Sequence, residues 1–502
     1  METGWQPKPG DKVVRPPRIK RYRLRRVLGV PALFSAGYGN VGSSIYYALG
    51  IVALVAIGAT PVALGIAGIL FVFTALTYAE GTAMLPEAGG SASFARHAFN
   101  DFVGFFSGWA LMLSYIVTIA ISAYTISPYL GYFWGDLKAS PETGTAISMA
   151  IILFLMVINV IGIKESSKVN ILATVVDVAT QLSIIILGFI LIFTVSKLAD
   201  NMFGPGNWPL SWGELTGGIE GHWPTIGSLV FGIAIASLAF TGVETVSQMA
   251  EETRQPEVRA PRTLVLMTVA VLVMFAGISL VALSAMTPET LATDWAKDPI
   301  AGIAAHLPEG ILQTIYMPLV AVLAATILLI ATNAGLIGIS RLSFSLGTHR
   351  QLPSALSRIH GRFRTPYVSI ILFCVVAVLI LIPGFFGGDF FKNLGALYTF
   401  GSLLSFAFAH ASILVLRMKK PDQNRPFKLR LNIRIKGHEL PLTAIIGLLA
   451  TLAIWMIIMV TQPYSRWVGF GWMAVGLVTY YFYRRHENLP LGSPASGSGP
   501  TH

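Results

Sequence analysis

Residues 30–57 read VPALFSAGYGNVGSSIYYALGIVALVAI, a stretch of 28 residues without a charged side chain. An α-helix needs roughly 20 apolar residues to cross a hydrocarbon core of about 30 Å. In the middle, from Gly37 to Ser44, stand three glycines and three small polar side chains. The stretch therefore predicts a membrane-spanning helix that is interrupted part-way along its length.

The rest of the chain has the composition of a membrane protein. Its 502 residues are 54% hydrophobic and 12% charged, with a mean hydropathy of +0.68, whereas soluble domains carry roughly 25% charged residues. We predict an all-α integral membrane protein with about twelve transmembrane helices, and a short surface helix near Pro299–His306. The other eleven apolar stretches are residues 61–85, 101–133, 144–163, 169–196, 223–249, 262–286, 311–346, 366–384, 391–417, 440–462 and 465–484.

The positive charges indicate the orientation of these helices. With the N-terminus inside, 30 of the 35 Lys and Arg lie in inner segments. Lys and Arg are enriched in cytoplasmic loops, so we expect a multi-pass plasma-membrane protein with both termini cytoplasmic. The net charge of +11 does not indicate nucleic acid binding, because the basic residues lie between apolar segments. The five on predicted outer loops are Lys138, Lys197, Lys297, Lys392 and Arg466.

Two stretches combine small residues with polar groups inside the apolar region. The first spans residues 37–44. Unwinding there would expose the amides of Gly42, Ser43 and Ser44 at the start of a half-helix, where a substrate carboxylate binds well. Alternatively, its small residues only let neighbouring helices pack closely. The second lies in the sixth apolar stretch, where residues 237–244 read SLAFTGVE and place Glu244 deep in an apolar run. Interrupted first helices of two five-helix halves are typical of inverted-repeat transporters, which bind substrate at the membrane midplane.

Other chemistries find little support in the sequence. The G-x-G-x-x-G spelling of residues 37–42 is no dinucleotide fingerprint, since no strand precedes it. The one cysteine, Cys374, cannot close an intrachain disulfide. No metal-ligand cluster and no nucleophile with a matching base is recognisable, so we predict neither an enzyme nor a bound cofactor.

Several motifs resemble the amino acid, polyamine and organocation permease family over about residues 30–430. The most specific is FTGVE at 240–244, leading into EETRQP at 251–256. The others are YAE at 78–80 with PEAGGS at 86–91, Gly108-Trp109, Arg341 with QLP at 351–353, TPYV at 365–368 and RPFK at 425–428.

This resemblance implies a domain plan. We expect a cytoplasmic basic tail over 1–28 and a ten-helix transport core, two inverted five-helix repeats with discontinuous helices 1 and 6, over 29–420. A cytoplasmic loop over 421–439, helices 11 and 12 over 440–485, and a disordered cytoplasmic tail over 486–502 follow.

The resemblance also implies a substrate site. It places the substrate carboxylate on the amides of Gly42, Ser43 and Ser44, and its ammonium on carbonyls near Leu238, Ala239 and Thr241. Phe240 is then a gating or packing aromatic, and Asn40 joins the substrate-binding set. Where relatives often have an acidic residue in helix 3, this chain has Ser114-Tyr115, which favours neutral substrates.

Aligned on Asn170, the chain has Asp177 where many relatives have a lysine. Together with Asn333, this carboxylate is a candidate Na⁺ ligand; alternatively it carries the coupled proton, or makes a fixed hydrogen bond. Glu244 either takes part in ion coupling or caps a half-helix. His410 is a candidate proton carrier or a packing residue, and Glu80 and Arg96 are candidates for a cytoplasmic gate.

We therefore expect a secondary active transporter of amino acids or related organic amines, driven by H⁺ or Na⁺ and working by alternating access. Its partners are the small-molecule substrate and the lipid bilayer. The alternatives are an amine exchanger, an inorganic cation (K⁺) transporter and a non-transporting amino acid sensor.

Overall fold

The computed structural model describes residues 26–162, 167–204, 226–363, 365–435 and 437–492. The predicted tails lie outside these ranges up to residue 25 and from residue 493 on. Helices occupy all twelve apolar stretches, and we number them α1 to α12 in chain order. Their bounds are α1 Val30–Val41 and Ile45–Ala56, α2 Thr60–Met84, α3 Asp101–Leu130, α4 Pro141–Ile161, α5 Ser167–Leu191, α6 Ile226–Ala236 and Glu244–Gln248, α7 Pro256–Ala285, α8 Ile311–Thr348, α9 Tyr367–Leu381, α10 Phe390–Lys419, α11 Leu442–Thr461 and α12 Pro463–His486.

Within the described residues, ten helical stretches are long and apolar enough to cross a membrane by length and composition. The first of them, Val30–Met84, has 55 residues and would be about 80 Å long as one helix, more than twice the bilayer core. It divides at Ile57, whose φ is +48°, into α1 and α2. Adding α12, which is charged near both ends, gives the predicted twelve helices, and the all-α membrane fold is confirmed.

The centre of the bundle is built around α3 and α10. In the most apolar window of α3, 83% of the residues are buried, against 28% for α4, which therefore faces outward. Glycines let the central helices approach closely. A Cβ at Gly338 of α8 would lie 2.6 Å from the Tyr115 ring of α3, and one at Gly401 of α10 would lie 2.8 Å from the Ala110 carbonyl oxygen.

The interrupted helices lie against each other inside this bundle. The first half of α1 contacts α5, α7 and α8, and its second half contacts the first half of α6. The first half of α6 also contacts α2 and α11. Both interruptions are thus enclosed by protein.

Short helices cover one end of the bundle. Pro288–Thr293 and Pro299–Ala305 lie between α7 and α8. A short helix is therefore present near Pro299–His306 as predicted, but most of its residues are buried rather than on the surface. Between the two helices, Asp298 accepts a hydrogen bond of 2.9 Å from Lys138 Nζ. This ion pair joins the α7–α8 connection to the loop after α3.

Two segments predicted as tail and loop have more structure than expected. Val27 and Leu28, at the end of the predicted 1–28 tail, both donate their amides to the Glu252 carbonyl at 2.9 Å. Between α10 and α11, strands β1 (Asn432–Ile435) and β2 (His438–Pro441) form an antiparallel hairpin. Backbone pairing between short segments leaves no hydropathy signal, so neither feature was predicted from the sequence.

A reciprocal tryptophan pair joins α12 to α3. Trp109 Nε1 donates to the Trp472 carbonyl at 2.8 Å, and Trp472 Nε1 donates to the Trp109 carbonyl at 2.9 Å. The rings stack with centroids 4.5 Å apart. Each indole thereby satisfies its N–H inside the bundle, where a missing partner would cost several kcal/mol.

Candidate functional site

The interruption of α1 is milder than the glycines suggest. Residues Gly42–Ser44 form one 3₁₀ turn with helical torsion angles, and the Gly42 amide donates to the Tyr38 carbonyl. The predicted exposure of the Gly42 amide is therefore not found. The Tyr38 ring packs on Gly42, where a Cβ would lie 2.5 Å from it. The glycine provides space for this ring rather than an open turn.

The interruption of α6 is a true break. The helix tightens into a 3₁₀ turn at Ser237–Phe240, Thr241 then becomes extended with ψ 151°, and Gly242 has φ +114°. The second half begins at Glu244, whose Oε2 accepts a hydrogen bond of 3.1 Å from the Gly242 amide. The N-cap position, Val243, has no side-chain cap, so this bond links Glu244 to the break rather than capping the half-helix.

Replacing Gly242 should damage this break. A Cβ there would lie 2.9–3.0 Å from Val41 and Asn40, and a left-handed φ costs a residue with a side chain roughly 1–2 kcal/mol. We expect Gly242→Ala to reduce substrate uptake at least about tenfold and to lower the melting temperature. Gly65→Ala in α2 is the matched control, because nothing lies within 4 Å of its Cβ position. Equal uptake in the two variants would contradict the role of Gly242.

Direct hydrogen bonds join the two interruptions. Ser44 Oγ donates to the Ala239 carbonyl at 2.7 Å, and Asn40 Nδ2 donates to Thr245 Oγ1 at 2.8 Å. These bonds bring together the predicted carboxylate-binding and ammonium-binding segments, which are almost 200 residues apart in the chain. Within each segment, Ser43 Oγ donates to the Asn40 carbonyl, and Thr241 Oγ1 donates to that of Leu238, both at 2.9 Å.

Phe240 belongs to an aromatic cluster beside the break. Its ring stacks on Phe71 of α2, with centroids 5.3 Å apart, and lies 5.1 Å from the Phe275 ring of α7. The side chain is buried. An apolar wall therefore lines one side of the break in α6.

Asp177 of α5 is the most heavily hydrogen-bonded carboxylate near α1. Its Oδ1 accepts a hydrogen bond from Tyr46 Oη, and its Oδ2 accepts bonds from Tyr38 Oη at 3.2 Å and Gln181 Nε2 at 2.8 Å. Tyr38 and Tyr46 lie on opposite sides of the Gly42–Ser44 turn. The carboxylate thus bridges the two halves of α1.

The predicted pairing of Asp177 with Asn333 is not present. Asn333 Oδ1 accepts a hydrogen bond of 2.5 Å from Asn159 Nδ2 of α4, and no hydrogen bond joins Asn333 to Asp177. The three donors around Asp177 occupy three of the roughly four lone-pair sites of its carboxylate. The two predicted ion ligands therefore belong to separate hydrogen-bond groups.

The three partners of Asp177 were not predicted from the sequence. A signal was available for Gln181, which lies four residues after Asp177 and so on the same helix face. Tyr38 and Tyr46 are eight residues apart, which is slightly more than two helical turns. They stand on either side of the Gly42–Ser44 turn. Their contact with α5 joins residues more than 130 positions apart and could not be read from spacing.

Glu80 and Arg96, the two candidates for a cytoplasmic gate, belong to different ion pairs. Buried Glu80 accepts two hydrogen bonds of 2.7 Å from Arg417 of α10 and one of 2.9 Å from the Leu429 amide. Arg96 instead pairs with Glu87 at 2.8 Å. The bidentate pair joins the ends of α2 and α10 and fixes the chain that follows α10.

His410 of α10 has hydrogen-bond partners for both ring nitrogens. Nδ1 lies 2.9 Å from Thr77 Oγ1, and Nε2 lies 3.3 Å from Thr74 Oγ1. Gly447 of α11 packs directly on the imidazole. Two hydroxyl partners and close packing are what a packing residue would have, the second of the two roles considered for His410.

Glu87, in the connection after α2, makes the fold sensitive to acid. Burial acts to raise the pKa of its carboxyl, but the hydrogen bond and charge of His97, with Arg96 and Ser93, hold that pKa well below its usual range. As pH falls, the Glu87 carboxyl is therefore protonated in the unfolded chain before it is protonated in the folded one. Glu87 stabilises the fold at neutral pH and loses that effect progressively as pH falls below about 5.

We expect Glu87→Gln to flatten the acid side of a plot of melting temperature against pH. Glu142→Gln, at an outer helix start, is the control and should leave the plot unchanged. Identical acid slopes in the wild type and Glu87→Gln would contradict this role of Glu87.

Comparison with known proteins agrees with this architecture. A family model described as amino acid permease matches residues 28–482. The chain belongs to this family. Amino acid permeases are transporters, and the interrupted helices with their buried polar groups are accordingly parts of a transport protein rather than of an enzyme.

Similar permeases and transporters align along most of their length. The branched-chain amino acid permease BcaP of Bacillus subtilis is 25% identical over 488 residues, covering 93% of this chain and 95% of the relative. A methylthioribose transporter of the same organism is 26% identical over 495 residues, covering 94% and 96%. The large neutral amino acids transporter small subunit 2 of Rattus norvegicus is 24% identical over 430 residues, covering 84% and 74%.

Proposed function

We propose that this permease carries neutral amino acids across the plasma membrane by alternating access, driven by a proton gradient. Its core would be two inverted five-helix repeats, with both termini in the cytoplasm. Relatives named for branched-chain and large neutral amino acids support the substrate class. The methylthioribose transporter makes a related small polar solute the first alternative substrate to test.

The observation that carries the coupling proposal is the Asp177 group. An ionised carboxylate accepts all three hydrogen bonds from Tyr38, Tyr46 and Gln181. A protonated one must donate from one oxygen and loses acceptor capacity there. Proton binding would therefore loosen α1 from α5 around the Gly42–Ser44 turn. This response links the charge of Asp177 to movement of the helix that we propose binds the substrate.

The proposed substrate site lies where α1 and α6 meet. An amino acid carboxylate would bind at Ser43 and Ser44, and its ammonium at the carbonyls of Leu238, Ala239 and Thr241. Occupancy would replace the direct bond between Ser44 and Ala239 with bonds to the substrate. The Phe240 cluster offers an apolar wall for a neutral side chain.

Uptake into proteoliposomes tests this function. Radiolabelled neutral, basic and acidic amino acids and methylthioribose are offered with either a proton or a sodium gradient. We expect a neutral amino acid to accumulate only with the proton gradient. The proposal would be contradicted by accumulation that requires sodium, or by exchange that depends on neither gradient. It would also be contradicted by K⁺ uptake or by saturable binding without uptake.

A further inference from the structure

A groove of about 500 Å³ runs along the outer face of α7. One wall is the first four turns of α7, and the other is the segment Pro426–Phe427 that follows α10. The groove is mainly apolar, with two charged side chains at one end. The charged side chains are Glu257 and Arg262, and the apolar ones on α7 include Val265, Leu266 and Val269.

The chemistry of this groove changes in order along α7. Glu257 stands in the first turn, Arg262 follows about 7.5 Å further along the axis, and Val265, Leu266 and Val269 continue the same face. The three apolar side chains are 42–54% exposed. From the end of the helix inward, a ligand would meet an anion, then a cation, then a hydrocarbon surface.

Both charged side chains face the groove without a protein partner. Neither Glu257 nor Arg262 makes an ion pair or a side-chain hydrogen bond in the described part of the chain. The neighbouring Glu252, by contrast, pairs with Arg341 at 2.8 Å. One carboxylate and one guanidinium in the groove are therefore available to a ligand.

The second wall is held in place by hydrogen bonds on both sides of Phe427. Arg425 donates to carbonyls at the end of α10, and the Leu429 amide donates to Glu80. Phe427 lies between these two anchors and packs on the hydrophobic core. The groove has two fixed walls, so it is preformed rather than opened by its ligand.

We propose that this groove binds a phospholipid whose headgroup carries a primary ammonium, that is, a phosphatidylethanolamine. Its acyl chain lies along Val265, Leu266 and Val269, its phosphate binds Arg262, and its ammonium binds Glu257. The order ammonium, phosphate, acyl chain in the lipid matches the order of side chains on α7. A quaternary choline offers no N–H to the carboxylate, and an anionic glycerol headgroup offers no cation.

Native mass spectrometry of the purified full chain tests this site. Phosphatidylethanolamine, phosphatidylcholine and phosphatidylglycerol with identical acyl chains are added in equal amounts. We expect one ethanolamine lipid to be retained about tenfold over the others, the factor expected for one charge-assisted hydrogen bond. Glu257→Gln should remove this preference, and Arg262→Gln should lower retention of all three lipids about tenfold.

Matched controls separate the groove from general effects. Glu289 also follows a proline at the start of a helix, so Glu289→Gln reproduces the loss of charge at a first turn. Arg358→Gln removes an exposed arginine elsewhere, and both controls should bind lipid as the wild type does. Leu266→Trp fills the groove and should reduce retention of every lipid, with an unchanged gel-filtration profile as evidence of folding.

Three results would overturn the proposal. They are equal retention of the three lipids by the wild type, preferential retention of the anionic lipid, and an ethanolamine preference that persists when both Glu257 and Arg262 are replaced.

Discussion

Asp177→Asn is expected to abolish proton-driven accumulation while substrate exchange across the membrane continues. Asparagine keeps the size of the side chain and can still accept hydrogen bonds, but it does not titrate. A gradient of about one pH unit supports up to about tenfold accumulation at one proton per substrate. In the variant we expect the internal concentration to equal the external one. Uptake under a proton gradient measures the loss, and counterflow between labelled and unlabelled substrate measures the exchange that remains.

Asp200→Asn is the control for this substitution. Asp200 is an exposed carboxylate on the short helix Val195–Phe203, so its loss should leave accumulation unchanged. Wild-type accumulation in Asp177→Asn would contradict the coupling proposal. Loss of exchange together with accumulation would instead indicate that Asp177 holds the fold of α1, the fixed hydrogen bond that the sequence analysis left open.

Arg417→Gln should produce the largest loss of stability. Arg417 and Glu80 are both buried and joined by two hydrogen bonds of 2.7 Å. Removing one partner of a buried ion pair leaves the other charge uncompensated and costs about 3–5 kcal/mol. We expect a large fall in the melting temperature of the purified protein. Because Glu80 also accepts the Leu429 amide, proteolysis after α10 should accelerate.

Arg434→Gln is the matched control. Arg434 forms an exposed ion pair with Glu439 at 3.4 Å, and such pairs are worth at most about 1 kcal/mol. The double variant Glu80→Gln/Arg417→Gln should lose less stability than the two single losses added together, because neither charge is then left alone. Equal melting temperatures for Arg417→Gln and Arg434→Gln would refute the importance of the buried pair.

Hydropathy and charge predicted the helical framework well. A stretch of apolar residues has few alternatives in a bilayer, so the twelve helices and the short helix at Pro299–Ala305 could be read from local sequence. The β1–β2 hairpin and the attachment of Val27 and Leu28 to Glu252 could not. Both depend on backbone hydrogen bonds between polar segments, for which side-chain pattern carries little information.

The candidate site was only partly predictable. Gly242 and Glu244 lie at a true break because the left-handed torsion angle of Gly242 and its bond to Glu244 are both local. Gly42 behaves differently, since the Tyr38 ring that packs on it is hydrogen-bonded to Asp177 on another helix. The pairing of Glu80 with Arg417 could not be predicted for the same reason. Arg417 is 337 residues away, and several arginines on the same side of the membrane were equally plausible.

Substrate-triggered proton entry tests the central claim most directly. Wild-type protein and Asp177→Asn are reconstituted into liposomes that enclose a pH-sensitive dye, and a neutral amino acid is added outside without any imposed gradient. We predict that the lumen acidifies as substrate enters through the wild type and that its pH stays constant with Asp177→Asn. Substrate entry through the wild type without acidification, or equal acidification by both proteins, would contradict proton coupling through Asp177.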